Sequence, residues 1–316
     1  MPAMIAVLGD TNQDFVMRAE SMPRPGETRT ATDLRFMPGG KGANQAVAAA
    51  RTGSAAALIS AVGDDPFGPQ LLAGLQREGV ITDHVLRGEA VPSGMAFIAL
   101  SPGGQNSILR VRGAAELVTP ELVDAAAGAI AEAQWLLVNL GVANETVLRA
   151  MQIARDAGTR VLFDPAPVCE GLDEMWPLTD ICTPNEMETA SITGIMPGDN
   201  SEAIAAGEWF RERGVGVAMI TLGDKGCVIV DDAGPRLIRP YQVATVDTTA
   251  CGDAFAGALA TRLAEGAAID EAVLFASAAG ALAASVLGAQ PSLPGRAAIE
   301  RLMAQQPDAG RVLALH

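Results

Sequence analysis

The sequence predicts an α/β fold: a mostly parallel sheet covered by helices on both faces, with a small second sheet projecting from one edge. Three observations carry this. Short, continuously apolar runs alternate with helical patterns along the 316 residues, the order expected of parallel strands buried on both sides. Residues are 49% hydrophobic but only 4% aromatic, and the Ala, Gly, Val and Leu that make up the difference suit close-packed strands and small-faced helices. Two stretches, Asn12–Phe36 and Pro92–Arg112, break the alternation and have few helical signals.

Taken in order, the apolar runs Ile5–Leu8, Ala57–Val62, Trp135–Leu140, Arg160–Asp164, Asp180–Cys182, Ala218–Leu222 and Cys227–Val230 are the candidate strands. Candidate helices are Asn44–Thr52, Pro69–Glu78, Pro120–Ala131, Asn144–Asp156, Ser201–Arg213, Gly252–Glu265 and Asp270–Val286. Thr119-Pro120 is a helix opening, and Gly158, Gly214 and Gly266 are helix endings. Within the second irregular stretch, Ser93–Leu100, the turn Ser101-Pro102-Gly103-Gly104 and Gln105–Arg112 have the pattern of a hairpin. Extended insertions of this kind pair into a small sheet that serves as a lid. The expectation is one domain over residues 1–316, with a β lid from about 12–37 and 92–112.

Charge excludes some partners. The formal net charge is -15, so a nucleic-acid backbone is a poor ligand and any anion must be held locally by backbone N–H groups and a few placed cations. Only two lysines are present, Lys41 and Lys225, both in glycine-rich turns. The four cysteines show no CxxC and no metal spacing, which speaks against a disulfide framework or a zinc site. No stretch reaches the ~20 charge-free apolar residues of a membrane span, and Met1–Ile5 runs into the first strand without a basic leader. A cytoplasmic protein that does not enter the membrane is expected.

Four motifs carry chemistry. Gly39-Gly40-Lys41-Gly42-Ala43-Asn44 precedes a small-residue helix; its glycines allow close backbone approach and positive φ, and Asn44 can cap the helix or bond a ligand hydroxyl. It is not a Walker A loop, because Gly follows Lys41. Asp247-Thr248-Thr249-Ala250-Cys251-Gly252-Asp253 ends at a helix start, where free N–H groups and the helix dipole favour an anion. A carboxylate there can take a proton from a hydroxyl attacking phosphorus. Asn185 and Glu188 follow a strand three residues apart, a spacing that suits a hydrated Mg²⁺ and equally a capping box. Thr221-Leu222-Gly223-Asp224-Lys225-Gly226 joins two strands, as a plain turn or a nucleotide-contact loop. Asn12 and Asp14, just after the first strand, are hydroxyl-binding candidates.

These residues make the sequence similar to the ribokinase-like, or PfkB, family of carbohydrate kinases. Both family signatures are present, at 39–44 and 247–253, about 200 residues apart with Asn185-x-x-Glu188 between them. The strings at Gly39–Ala48, Ile181–Glu186, Ile220–Gly223 and Gly288–Ser292 resemble the ribose-phosphorylating branch. The resemblance implies a Rossmann-like three-layer α/β/α sandwich with a β-sheet lid, often dimeric through that lid. It implies ATP-dependent phosphorylation of a primary sugar hydroxyl, with D-ribose the first expectation. By the same resemblance Asp253 is the general base, and Ala250, Cys251 and Gly252 form the anion hole. Asn12, Gln13, Asp14, Gly40, Lys41, Gly42, Ala43 and Asn44 hold the sugar. Asn185, Thr221–Gly226, Gly252, Asp253 and Ser277 lie along ATP, and Glu188 serves Mg²⁺ through water. A monovalent cation, usually K⁺, sits near Asp247, Thr249, Ala283, Val286, Gly288 and Ser292.

The chain departs from the family pattern in places. Ribose-specific members carry a sugar-contacting Glu after the middle strand, where this sequence reads Asn139-Leu140-Gly141-Val142. The lid reads Arg112-Gly113-Ala114-Ala115 without the usual Asn, Cys251 replaces a common Ala or Gly, and Ser277 stands where His is common. The alternatives are therefore a family kinase for a nucleoside, deoxyribose, a ketose or a sugar acid, or an idle sugar-binding protein on the same scaffold. A dehydrogenase is excluded because no G-x-G-x-x-G follows the first strand.

Overall fold

The computed structural model describes residues 4–21, 23–100 and 106–315; the turn expected at Ser101–Gly104 and the first three residues lie outside them. The strands are β1 (Met4–Leu8), β2 (Asn12–Arg18), β3 (Asp33–Gly39), β4 (Ala55–Val62), β5 (Val85–Arg87), β6 (Gly94–Leu100), β7 (Asn106–Val111), β8 (Trp135–Asn139), β9 (Arg160–Asp164), β10 (Ile181–Cys182), β11 (Val217–Thr221), β12 (Cys227–Val230), β13 (Arg236–Ile238) and β14 (Val312–Ala314). The helices are α1 (Lys41–Thr52), α2 (Gly68–Arg77), α3 (Pro120–Ala125), α4 (Ala127–Glu132), α5 (Asn144–Ala157), α6 (Glu186–Thr193), α7 (Asn200–Arg211), α8 (Cys251–Ala264), α9 (Ile269–Ala284) and α10 (Arg296–Gln305).

Ten strands form the main sheet in the order β14-β13-β12-β11-β10-β9-β8-β1-β4-β5. From β11 to β5 neighbours run parallel, and β12, β13 and β14 close one edge antiparallel. The chain leaves β1 for β4 on one side and returns to β8 on the other. The order therefore reverses beside β1, and loops diverge there at the strand C-termini to leave a crevice. Alternating residues of each central strand face two different cores. Ile5, Val7 and Leu137 lie in the core with α1, α8 and α9, whereas Ala6, Leu8, Leu136 and Val138 lie in the core with α4, α5 and α7. This division is the three-layer sandwich, and it explains why the strands read as unbroken apolar runs.

The second sheet has the order β3-β2-β6-β7. Its strands are the two stretches that broke the helical rhythm. Phe15 stacks on Phe97 at 4.8 Å and meets Phe36 and Phe67 edge-on.

Three expectations need correction. The helix expected over Pro120–Ala131 is two, broken at Ala126. Helices α6 and α10 and strands β5, β13 and β14 were not expected; α6 is a two-turn helix and the strands have three residues each, too short to show a period. Asn44 does not cap α1. That helix starts at Lys41 with Gly40 as its N-cap at φ 91°, and Asn44 lies one turn in, its N–H on Gly40 O at 2.8 Å. Gly40 is required there: a Cβ would lie 2.7 Å from Asn12 N and Asp10 O.

Candidate functional site

The site is built where α1 and α8 meet at the C-terminal ends of β1, β8, β9 and β10. These helices approach closely because small residues face each other. A Cβ on Gly257 would stand 2.6 Å from Ala48 Cβ and 2.7 Å from Gln45 O. That approach sets Asp253, the third residue of α8, against Lys41, Asn44 and Gln45 of α1. Asn44 Nδ2 donates to Asp253 Oδ2 at 2.9 Å, Gln45 Nε2 to Asp253 Oδ1 at 3.2 Å, and Lys41 Nζ lies 3.4 Å from the same oxygen. The two signature strings, distant in sequence, thus form one cluster.

Asp164, at the end of β9, belongs to it too. Its Oδ2 accepts from Gln45 Nε2 at 2.7 Å and from Lys41 Nζ at 3.1 Å. Burial, and then Asp253, raise the Asp164 pKa, against the lowering pull of Lys41. For Lys41 burial works against the charged form, but Asp164, Asp253 and then Glu188 overrule it and hold the ammonium above its ordinary range. Asp164 and Gln45 were not identified from the sequence. Asp164 is the polar last residue of an otherwise apolar strand, which was the available signal.

A second cluster forms around Asp10, after β1. Asp10 Oδ2 accepts from Asn12 Nδ2 at 2.8 Å and lies 3.4 Å from Arg110 Nη2. Asp10 Oδ1 accepts the Gly42 N–H at 3.4 Å. Arg110 comes from β7 of the small sheet and also donates to Gly141 O. Neither Asp10 nor Arg110 was a candidate from sequence. Gly141 has its own reason: a Cβ there would sit 2.3 Å from Asp10 Oδ1 and 2.7 Å from Asn139 Oδ1. The space a side chain at 141 would enter is filled by Asp10 and Asn139.

Asp14 lies at the edge of this cluster, buried under the small sheet, with no donor on its carboxylate among the described residues. Burial first, then Asp10 and Asp253, push its pKa up from 3.8 to about 7. Two further acceptors are buried without a donor, Asn12 Oδ1 and Asn44 Oδ1. Their orientation is forced, since each amide nitrogen faces a carboxylate that can only accept. One buried donor, Arg110 Nε, also has no acceptor.

Gln13 is a correction. Its neighbours Asn12 and Asp14 point to the site, so by strand alternation Gln13 points away, and its Nε2 donates to Met37 O at 2.9 Å and Asp14 O at 3.2 Å. Gly40, Gly42 and Ala43 line the site through the backbone.

At the start of α8, Ala250 is the N-cap at φ 61°, an uncommon conformation for a residue with a Cβ. It turns the chain into α8, where a Cβ on Gly252 would meet nothing within 4 Å. Cys251 fits the pocket less well than expected, because its N–H bonds Thr248 O at 3.3 Å. Burial, then Asp247 and Asp253, push its thiol up to about 12, so it is no nucleophile.

Asn185 and Glu188 form a complete capping box on α6, with Asn185 N–H on Glu188 Oε2 at 2.8 Å and Glu188 N–H on Asn185 Oδ1 at 2.9 Å. The capping-box reading of this spacing is the observed one, and burial and then Asp164 raise Glu188 to about 7. Thr221 bridges Asn185, so the Thr221–Gly226 loop lies beside it. Lys225 is turned outward, its Nζ 3.3 Å from Gly198 O. Ser277 is half-buried on α9. Asp247 ties two loops together: Oδ1 accepts Thr249 N at 3.0 Å and Oγ1 at 2.7 Å, and Oδ2 accepts Gly288 N at 2.8 Å. Ser292 Oγ is bonded to Ala289 O at 2.7 Å, and Val286 N–H to Ala283 O at 3.2 Å. Among the described residues no three acidic, His or Cys side chains form a ready metal cage.

A doubly covered α/β sheet, a buried Asp at a helix N-terminus and a pocket of hydrogen-bond acceptors without donors define a small-molecule kinase for a hydroxylated substrate. The family model described as pfkB family carbohydrate kinase matches residues 2–296. The chain is 38% identical over 296 residues to the ribokinase of Haemophilus influenzae, covering 94% of this chain and 97% of that one. The crystal structure of ribokinase from Thermotoga maritima superposes with a TM-score of 0.86 at 33% identity, covering 96% of this chain and all of that one. Arabidopsis thaliana ribokinase complexed with ribose and ATP gives 0.84 at 30% identity over 96% and 98% of the two chains. The chain belongs to the pfkB family of carbohydrate kinases, enzymes that move a phosphoryl group from ATP to a sugar hydroxyl.

Proposed function

We propose that this chain phosphorylates the primary hydroxyl of D-ribose with ATP, giving D-ribose 5-phosphate. The observation that carries this is the pair of unmatched buried acceptors, Asn12 Oδ1 and Asn44 Oδ1, with the buried Asp14 carboxyl beside them. Buried acceptors without donors cost free energy, and a polyol brings the missing O–H groups. The ribokinases named above support ribose as that polyol.

In this reading Asp253 takes the proton of the attacking hydroxyl while its oxygen bonds the γ-phosphorus and the bond to ADP breaks. Asn44 and Gln45 orient the carboxylate, and the N–H groups at the start of α8, Gly252 foremost, meet the developing charge. Lys41 offsets the crowding of Asp164 and Asp253. ATP runs along Asn185, Thr221–Gly226 and Ser277. Glu188 would hold Mg²⁺ through water, and that ion would supply charge to the phosphates. Asp247, Thr249, Ser292 and the carbonyls of Ala283, Val286 and Gly288 would hold K⁺, an oxygen-only set beside α8; equal rates in Na⁺ and K⁺ would count against that ion. Residues 1–316 act as one unit whose small sheet closes over the sugar. The enzyme is a cytoplasmic homodimer through the outer face of that sheet, where Leu34, Phe36, Leu109 and Val111 are exposed. Among the described residues no helix is long and apolar enough to cross a membrane.

The test is an ATP-consumption screen over ribose, deoxyribose, fructose, a sugar acid and nucleosides. Ribose is expected to lead in kcat/KM by roughly tenfold or more, about 1.4 kcal/mol of discrimination. A lead by any other substrate overturns ribose and leaves the kinase chemistry standing.

A further inference from the structure

Arg110 is placed by the register of the small sheet. Asp14 pairs with Ala96 across β2 and β6, and Ala96 pairs with Arg110 across β6 and β7. Directly paired residues share a face. Asp14 and Arg110 therefore stand on one face of the lid, two strand spacings or roughly 10 Å apart, with only the Ala96 methyl between them. The gap over Ala96 is bounded by an acceptor at one end and a donor at the other.

The donor end is tied to the body of the enzyme. Arg110 Nη2 donates to Gly141 O and lies 3.4 Å from Asp10 Oδ2, and that oxygen already holds Asn12, one of the residues with an unmatched acceptor. One guanidinium nitrogen, Nη2, thus makes both contacts to the main body, while Nε–H is buried without an acceptor. Gly141, where the family's ribose enzymes carry an acceptor side chain, contributes only its carbonyl, and that carbonyl is spent on Arg110. At this corner an unpartnered buried donor, Arg110 Nε, stands beside the Asp10 carboxylate.

We propose that Arg110 is a specificity-determining residue, giving its Nε–H to an acceptor oxygen of the substrate opposite the hydroxyls that Asp14 and the two Asn residues receive. This rests on reading the pocket as the sugar site. The shared chemistry is an oxygen that accepts without donating: a ring or carbonyl oxygen, or a carboxylate. A hydroxyl fits this place only as an acceptor with its own proton turned elsewhere, because Arg110 has no lone pair.

The experiment uses full-length wild type, Arg110→Met and Arg110→Lys, with KM and kcat measured on ribose and ribonate added as competitor. Met keeps the aliphatic stem and removes every donor, so ribose KM is expected to rise roughly 10- to 100-fold, the worth of one hydrogen bond to a charged group, with a smaller change in kcat. Lys keeps a charge opposite Asp10 and has no Nε donor, so KM stays raised. Recovery of wild-type KM by Lys, or an unchanged KM in Met, overturns the proposal. Ribonate that competes with wild type and not with Arg110→Met identifies a carboxylate as the preferred acceptor. Ribonate ignored by both, with the KM effect on ribose present, identifies the ring or carbonyl oxygen. If wild type turns over another sugar and not ribose, the ribose reading fails. The variants are then compared on that sugar, and an unchanged KM there overturns the role of Arg110 separately.

Discussion

Replacing Asp14 with Asn is expected to stabilise the free enzyme at pH 8 and to damage sugar binding. Asp14 is buried with no donor on its carboxylate among the described residues, and burial, Asp10 and Asp253 push its pKa from 3.8 to about 7. Moving a carboxyl that far costs about 4 kcal/mol at 1.36 kcal/mol per pH unit. The sign follows from proton counting. Between pH 4 and 7 the folded chain binds a proton at Asp14 that the unfolded chain does not, so this group's contribution is most favourable below pH 4 and is lost as pH rises to 7. Asn carries no charge and lacks the penalty. The gain at pH 8 is expected at roughly 2–4 kcal/mol, several degrees in Tm for a chain of this size, and it shrinks to nothing near pH 4. Binding moves the other way: a charged acceptor of hydroxyl protons is worth roughly 1.5–3 kcal/mol, so sugar KM rises at least tenfold at pH 8. In wild type, sugar KM also rises as pH falls below 7. Thermal melts of both proteins from pH 4 to 8 without sugar, beside KM at each pH, test this. A variant no more stable than wild type at pH 8, or one whose Tm runs parallel to wild type across the range, refutes the reasoning.

Asp253→Asn is expected to lower kcat by roughly 10²–10⁴ while sugar binding, measured by calorimetry, persists; near-normal turnover would remove Asp253 from the chemistry. Gly141→Glu, which writes in the family's usual residue, is expected to lose stability and raise sugar KM, because its Cβ would lie 2.3 Å from Asp10 Oδ1; improved ribose turnover would show that the corner has room. Gly257→Ala forces a methyl to within 2.6 Å of Ala48 Cβ and is expected to cost roughly 1–3 kcal/mol. Because α1 and α8 carry the site, its kcat falls with its Tm, and a neutral effect on both in melts and assays would mean the helices part freely.

Much of the fold was legible in the residues themselves. Parallel strands covered on both faces must be apolar throughout, so β1, β4, β8, β9 and β11 announced themselves, and Arg160–Asp164 and Cys227–Val230 match to the residue. The two irregular stretches were legible as a separate sheet because period-two segments cannot serve as covering helices. The glycine strings at 39–44 and 247–253 were legible as a place of close backbone approach and a helix N-terminus, since both are local properties. Tertiary structure decided which polar side chains share the site. Asp164 and Gln45 read as a strand end and a helix residue, and only the close approach of α1 and α8 joins them to Asp253. Arg110 looked like one charge in a lid strand until strand register set it opposite Asp14 and over Gly141. Register and helix approach depend on contacts between residues tens to hundreds of positions apart, and no local pattern encodes which distant partner will fill a given gap.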